Sequence, residues 1–326
     1  MTKLLVIDLT EKSFLVEQID PEMARSYIGG SGLAARLLYD RIKLDTDPLG
    51  PENPLLFLAG PIVGTSMPSA GRMAVCARSP LTGFWGESNT GGFIGPEMRF
   101  AGFDGVLLNG KADQPCWISV VDGGVNFHDA GPIWGQDTYQ TPDSIREILA
   151  DHKVRVACIG RAGENLVKMA AIVNDHGRAA GRTGMGAVMG SKNLKAIAFR
   201  GNEKVDLADP AAYKKVVAEI QGEVKEDIAV QSIKLAGTAG YVDMGSMFGD
   251  MPVKYFQLGE WEESSNLSGI LMAEEFLNKG TACYRCPIMC GRETRTVKYK
   301  VDSVDGPEYE TVAAFGSLAQ VDDLEG

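Results

Sequence analysis

The sequence is poor in histidine and cysteine, the residues that most often bind transition metals. Its 326 residues contain six cysteines and three histidines, His128, His152 and His176. No histidine lies near the cysteine motif described below, and a second C-x2-C pair is missing. The usual patterns of a structural zinc site are therefore absent, and a zinc protein is disfavoured.

The sequence also lacks an excess of basic residues and a long apolar run. With 32 basic and 43 acidic residues, its formal net charge is −11, which argues against nucleic acid or an anionic membrane as the main partner. Its apolar runs are too short to cross a bilayer, and the one at the amino terminus is too short for a signal peptide. We expect a cytoplasmic protein, where free thiols are better interpreted as metal ligands than as disulfides.

Hydrophobic patterning predicts the α+β fold class. Alternating apolar positions indicate a hairpin over residues 3–17, and a continuous apolar run indicates a buried strand over Leu55–Ala59, followed by further strands as far as Phe199. These strands lack the regular alternation with helices of a doubly wound fold, and no internal repeat is visible. Beyond residue 203 the pattern is mainly helical, with one helix opening at Asp209-Pro210. We predict a β-rich domain over residues 1–203 and a mainly helical domain over 204–326.

Three of the six cysteines form one compact motif near the end of the sequence. Cys283, Cys286 and Cys290 have C-x2-C-x3-C spacing, which lets a short looped backbone turn successive sulfurs toward one soft metal centre. We predict an iron–sulfur cluster, which needs a fourth ligand. The other cysteines, Cys76, Cys116 and Cys158, lie in apolar runs typical of buried strands and are interpreted as small core residues.

Two segments rich in glycine and polar residues interrupt the β-rich domain. The first covers residues 69–92 and the second residues 176–192, which end at Lys192. Glycine lets a backbone approach a ligand closely and arginine binds phosphate through two parallel hydrogen bonds, so together they predict an anion-binding cradle. The second segment matches neither a Walker A loop nor a dinucleotide fingerprint. The alternative is a glycine-rich turn before a helix of small residues, with solvated arginines.

An acidic pair follows the cysteine motif. Glu308 and Glu310 come directly after Pro307, where ordinary helix capping and the helix dipole explain both acids. If the helix instead points an acid at a cofactor, that acid would serve as a general acid or base.

These motifs, taken in order, resemble the tungsten-containing aldehyde ferredoxin oxidoreductases. The similar stretches are Ser79–Phe84, Ser88–Gly92, Phe100–Asp104, Gly163–Val167, Gly177–Arg182, Gly186–Lys192, Cys283–Cys290 and Gly306–Glu310. Only the cysteine and glycine–arginine motifs are specific individually. Their shared order over essentially the whole chain makes the resemblance strong.

The resemblance implies a base domain under a tungsten or molybdenum bis-pterin cofactor, with a [4Fe–4S] cluster bound by Cys283, Cys286 and Cys290. The residues matching positions that hold the pterins or their phosphates are Arg72, Asn89, Thr90, Gly91, Arg178, Ala179, Gly181 and Arg182. The carbonyls of Asn89 and Ala179 match ligands of a bridging Mg²⁺ ion. Glu310 matches an acid proposed near the tungsten, and is the expected catalytic residue. Thr183 departs from the family pattern, which often has glycine there.

The implied reaction is the two-electron oxidation of an aldehyde to a carboxylate, with electrons leaving singly through the cluster to ferredoxin or a similar carrier. The family's fourth cluster cysteine and its further pterin motifs lie beyond residue 326, so this sequence is expected to be the first half of a longer protein. A homo-oligomer or an iron–sulfur partner subunit remains open. Two alternatives are a related tungsten-pterin reductase subunit acting on an aromatic thioester, and a non-catalytic iron–sulfur or cofactor-binding scaffold.

Overall fold

The chain forms two compact units, residues 1–208 (unit 1) and residues 209–326 (unit 2). The structure, a computed structural model, describes residues 3–175 and 177–325. His176, where the second glycine segment begins, lies outside the described residues. In the described ranges, no helix is long and apolar enough to cross a membrane.

Unit 1 contains two six-stranded sheets. The strands of the first sheet are β1 Lys3–Asp8, β2 Ser13–Gln18, β3 Leu55–Ala59, β4 Met73–Arg78, β5 Trp85–Thr90 and β6 Gly105–Asn109. Those of the second are β7 Cys116–Val121, β8 Gly124–Asp129, β9 Arg155–Cys158, β10 Ile172–Asn174, β11 Arg178–Ala180 and β12 Leu194–Arg200. The helices are α1 Pro21–Tyr27, α2 Gly30–Tyr39, α3 Ile94–Phe100, α4 Gln140–Leu149, α5 Arg161–Glu164 and α6 Met185–Ser191.

The two sheets have the same topology. Their strand orders are β2-β1-β6-β3-β4-β5 and β8-β7-β12-β9-β10-β11, so each strand of the first has its equivalent six strands later. In each sheet one neighbouring pair is parallel, β1 with β6 and β7 with β12, and the other pairs are antiparallel. The expectation of no internal repeat is therefore wrong for the backbone, because alternating apolar residues describe a strand without identifying which strand it is.

Each sheet of unit 1 is buried on both faces, because successive side chains of a strand point to opposite faces. The two sheets share one core, and each has a further hydrophobic layer on its other face. In β3, Leu55 and Phe57 enter a core shared with the second sheet, whereas Leu56 packs on the opposite face with Leu37 of α2. Ile145 of α4 packs in the same way on the outer face of the second sheet. This double burial explains why β3 is apolar at every position.

The three cysteines interpreted as core residues are buried in strands, as predicted. Cys76 lies in the layer under α2, Cys116 in the shared core and Cys158 in the layer under α4. Burial raises the pKa of the Cys116 thiol to about 11 and that of Cys158 to about 12. Burial among apolar side chains and the raised pKa both disfavour the thiolate form that binds metal.

Unit 2 combines helices with a small sheet. Its helices are α7 Pro210–Glu226, α8 Ile228–Ala236, α9 Tyr241–Phe248, α10 Gly269–Glu275 and α11 Tyr309–Val312. The antiparallel strands β13 Leu277–Thr281, β14 Gly291–Thr296 and β15 Val301–Asp305 form the sheet. Helix α7 begins where predicted, with the Asp209 carboxylate accepting from the amides of Ala211 and Ala212.

The sequence prediction for unit 2 as mainly helical needs one correction. The local sequence pattern over residues 266–279 predicts one helix, but α10 ends at Glu275 and Leu277 begins β13. Pairing with β14, which supplies partners for the backbone of β13, overrides the local helical pattern there. The cysteine motif connects two strands of this small sheet, β13 and β14.

Candidate functional site

The two glycine segments lie next to each other in unit 1, where an edge strand of the first sheet approaches an edge strand of the second. They contain the equivalent edge strands β5 and β11. The amide of Arg182 donates to Ser88 Oγ over 3.1 Å, and Asn174 Nδ2 donates to Thr90 Oγ1 over 2.7 Å. Segments almost ninety residues apart in the chain thus share one surface, as the cradle hypothesis requires.

The loop after β5 is supported by three residues that were not predicted from the sequence, namely Arg155, Asn174 and Asp175. The backbone amide of Phe93 donates to Asp175 Oδ2 over 2.6 Å, and Arg155 pairs with the same carboxylate over 2.9 Å. Gly92 has a φ of +86°, and a Cβ there would lie 2.4 Å from both Asn174 Oδ1 and Asp175 Oδ2. The glycine is needed for this close approach. An Asn-Asp pair directly before a glycine-rich turn was the available signal.

Most of the predicted cofactor-binding residues lie at the protein surface, where the two glycine segments meet. Those that are exposed are Arg72, Asn89, Ala179, Gly181 and Arg182, and those that are half-buried are Gly91 and Arg178. Within residues 3–175 and 177–325, the guanidinium groups of Arg72 and Arg182 have no hydrogen-bond or ion-pair partner. Two uncommitted guanidinium groups beside exposed glycine backbone have the chemistry to bind a phosphate.

Two of these residues use their side chains within the protein. The Thr90 hydroxyl is buried and accepts from Asn174, so Thr90 offers a ligand its backbone alone. The Asn89 amide donates to Glu87 Oε1 over 3.0 Å. Hydrogen bonds from Ser31 first, and then from Asn89, lower the pKa of Glu87. The backbone carbonyl of Asn89, the group implied as a Mg²⁺ ligand, is not involved in this contact.

The later part of the second segment serves packing rather than ligand approach. A Cβ at Gly184, Gly186 or Gly190 would lie 2.1, 2.4 or 2.0 Å from the backbone oxygens of Lys168, Ala171 and Gly163 respectively. These glycines allow α6 to pack directly against α5 and the loop that follows α5. The alternative interpretation, a turn before a helix of small residues, describes residues 184–191. Within this segment, the cradle stays a prediction for residues 178–182.

Lys192, at the end of that segment, faces the protein interior. Its ammonium donates to the carbonyls of Pro51 and Gly110 over 3.2 and 3.1 Å. Burial lowers its pKa to about 8. Lys192 therefore joins three loops and takes no part in the cradle.

Replacement by alanine is expected to affect stability differently at a packed glycine and at an exposed glycine. Gly190→Ala is expected to destabilise the chain by about 1–3 kcal/mol, since α6 must move away from Gly163 to admit the new methyl group. Gly181→Ala is the matched control, because no atom lies within 4 Å of its Cβ position. Thermal unfolding of both variants checks this, and equal unfolding temperatures would contradict the packing role.

The cysteine motif forms the connection between β13 and β14, which we call the cysteine loop (residues 282–290). Pairing of Thr281 with Gly291 closes the loop at its base, and the amide of Cys286 donates to the Cys283 carbonyl over 3.1 Å. Arg285 and Met289 adopt left-handed backbone conformations, with φ of +52° and +54°. The strands and these turns confine all three cysteines to one short loop.

The three thiols of the cysteine loop are in a state that is compatible with binding an iron–sulfur cluster. All three are half-buried, and none of the six cysteines is in a disulfide. Among the described residues, no group of three or more His, Cys, Asp or Glu side chains is arranged to hold a metal ion. A single ion gathers its ligands into one coordination shell, whereas a cluster binds each thiolate through a different iron atom. The cluster ligands therefore stay a prediction.

A buried arginine supports the cysteine loop. Arg292 is 2% exposed and donates through its two Nη atoms to four backbone carbonyls. Burial lowers its pKa, while nearby Cys290 and Glu308 act in the opposite direction. Arg292 was not among the residues predicted from the sequence, although it lies two residues after the motif.

The two glutamates near α11 have different surroundings. Glu308 Oε2 accepts from Thr238 Oγ1 over 2.6 Å, and the same hydroxyl accepts from the amide of Tyr309 over 2.9 Å. Glu310, the expected catalytic acid, is exposed in the first turn of the helix. Its catalytic role stays a prediction.

Family models match both units. Residues 4–201 match the aldehyde ferredoxin oxidoreductase amino-terminal domain, and residues 215–326 match domains 2 and 3 of the same family. Together these matches extend over nearly the whole chain.

Individual relatives agree with the family models. The chain is 44% identical over 98% of its length to a tungsten-containing aldehyde ferredoxin oxidoreductase of Pyrococcus furiosus, covering 52% of that protein. Its identity to the protein of that name from Thermococcus kodakarensis is 40%, over 99% of the chain and 53% of the relative. The chain therefore spans about half the length of these relatives.

A solved structure shares the fold. It is the active-site complex of benzoyl coenzyme A reductase with 1,5-dienoyl-CoA, with a TM-score of 0.85 and 26% identity, covering 99% of this chain and 51% of that one.

Proposed function

The chain belongs to the aldehyde ferredoxin oxidoreductase family, and on this premise we propose that the full-length protein oxidises aldehydes to carboxylates and passes the electrons to ferredoxin. The 44% identity to the tungsten-containing enzyme of Pyrococcus furiosus, over 98% of the chain, is the observation that carries this proposal. We place the reaction in a reducing cytoplasm, in keeping with the six cysteines outside disulfides.

Unit 1 is the proposed base for a pterin cofactor, with Mg²⁺ between its phosphates. When bound, a tungsten or molybdenum bis-pterin supplies the two-electron redox chemistry. The exposed guanidinium groups of Arg72 and Arg182 would bind phosphate oxygens, and half-buried Arg178 would add a third positive charge. The backbone of Gly181, open on its outer side, would admit the ligand closely. The carbonyls of Asn89 and Ala179 are the proposed Mg²⁺ ligands.

Unit 2 is proposed to bind a [4Fe–4S] cluster through Cys283, Cys286 and Cys290, with a fourth ligand from outside this chain. Glu310 is the proposed general acid or base, since its carboxylate is exposed and unconstrained by a hydrogen bond within residues 177–325. A ferredoxin or similar carrier would accept single electrons.

A second candidate is a reductase of an aromatic thioester within a larger complex. The TM-score of 0.85 to the benzoyl coenzyme A reductase complex favours it. Its 26% identity is well below the 44% found with the aldehyde enzyme, so we rank it second.

Metal analysis of the anaerobically purified full-length protein tests the proposal. We expect about four iron atoms and about one tungsten or molybdenum atom per chain, and viologen reduction with simple aldehydes. Iron without a group-six metal would exclude the pterin enzyme. Activity with aromatic thioesters and none with aldehydes would favour the second candidate.

A further inference from the structure

Arg292 is buried and forms no ion pair with a carboxylate among residues 3–175 and 177–325. Its side chain is 2% exposed, and Nη1 donates to the carbonyls of Met289 and Gly291 over 3.1 and 3.2 Å. These two carbonyls lie on either side of Cys290 in the sequence. The guanidinium therefore fixes the backbone that carries the third cysteine.

The second terminal nitrogen of the guanidinium binds the end of a helix. Nη2 donates to the carbonyls of Ile233 and Lys234, in the last turn of α8, over 2.9 and 2.8 Å. The carboxyl end of a helix carries partial negative charge, which favours a cation there. A Cβ at Gly237, just after the helix, would lie 2.8 Å from Arg292 Nε and 3.1 Å from the Cys290 carbonyl. Glycine at this position lets the helix end, the arginine and the cysteine loop lie together.

Carbonyl dipoles offset only part of the buried charge. A buried cation is costly unless an anion balances it, and Arg292 Nε has no hydrogen-bond partner within the described residues. Among the described residues, Glu308 is the carboxylate that acts on this guanidinium. The guanidinium is always charged and binds the backbone on either side of Cys290, so a metal-bound thiolate in this loop would add negative charge beside it.

We propose that Arg292 is a positioning residue that holds Cys290 in the cysteine loop and whose charge balances the thiolates when they bind a metal cluster. This inference rests on the cluster proposed at Cys283, Cys286 and Cys290. A fixed positive charge beside a cluster also favours its reduced form, which carries one more negative charge.

Three variants of the full-length, anaerobically purified protein test the inference. Arg292→Gln removes the charge and keeps some donors, Arg292→Lys keeps the charge and removes the fork, and Arg295→Gln is the matched control on the exposed face of β14. For each variant, we would measure iron per chain, iron release to a ferrous chelator, the reduction potential by EPR-monitored titration with dithionite, and folding by circular dichroism.

We expect both Arg292 variants to release iron roughly 10- to 100-fold faster than the wild type, as for other groups that support metal ligands. The potential should shift downward in Arg292→Gln and remain near the wild-type value in Arg292→Lys, while Arg295→Gln matches the wild type in both measurements. If Arg292→Gln does not fold, the release rate of Arg292→Lys decides. Wild-type release from folded Arg292 variants would overturn the inference. A wild-type protein without iron would instead remove the proposed cluster itself.

Discussion

Replacing Cys286 with alanine is expected to remove most of the iron from the full-length protein. Cys286 lies in the middle of the cysteine loop, between the turn that begins at Cys283 and the left-handed residue Met289. Alanine offers no ligand, and a four-iron cluster with one thiolate fewer in this loop is held by too few bonds. Iron per chain and the EPR signal of the reduced protein measure the loss.

Cys76→Ala is the control for this experiment. Cys76 is completely buried under α2, and burial raises the pKa of its thiol, so it is not a candidate ligand. Its variant should keep the wild-type iron content. A Cys286→Ala protein that retains all its iron would show that the loop does not bind the cluster.

Replacing Lys195 with methionine is expected to destabilise unit 1 by about 3–5 kcal/mol, the cost of leaving one charge of a buried pair alone. The Lys195 side chain is 0% exposed and pairs with Glu164, which is 6% exposed. Lys195 also donates to the Gln136 carbonyl over 2.8 Å, and Glu164 accepts from the amide of Gly135 over 2.9 Å. Methionine would leave the carboxylate buried with no cation. Urea unfolding followed by circular dichroism measures the change.

Two comparisons isolate the effect of the buried charge. The double variant Lys195→Met with Glu164→Leu should be more stable than Lys195→Met alone, because it removes the unpaired carboxylate. Lys215→Met breaks an exposed pair with Glu219, whose side chains are 81% and 59% exposed, and should change the stability by no more than about 0.5 kcal/mol. If Lys195→Met behaved like Lys215→Met, the pair would not be structural.

The elements that local patterning predicted well are those whose hydrogen bonds and buried faces are fixed within a few residues. The β1–β2 hairpin and the capped start of α7 at Pro210 are of this kind. The small sheet of unit 2 was missed since β13 depends on β14, which lies beyond the cysteine loop. The repeated topology of unit 1 was missed for the same reason, as it consists of pairings between distant strands.

The candidate site divides along the same line. Cysteine spacing and the glycine–arginine composition predicted the chemistry, because ligand type and spacing are properties of the chain itself. Sequence alone left the functions of the glycines undetermined, since Gly181 and Gly190 differ only in what lies next to them. The supporting residues Asn174, Asp175 and Arg292 were missed because their partners are tertiary neighbours.

The sequence by itself determined which residue types are available as ligands, the family, and the positions of most strands of unit 1 along the chain. These properties depend on residue identity and short-range spacing. Tertiary structure decided that the two glycine segments share one surface, which glycines serve packing, and that a buried arginine fixes the cysteine loop. These properties arise from contacts between residues distant in the chain, whose energies depend on burial and distance rather than on residue order.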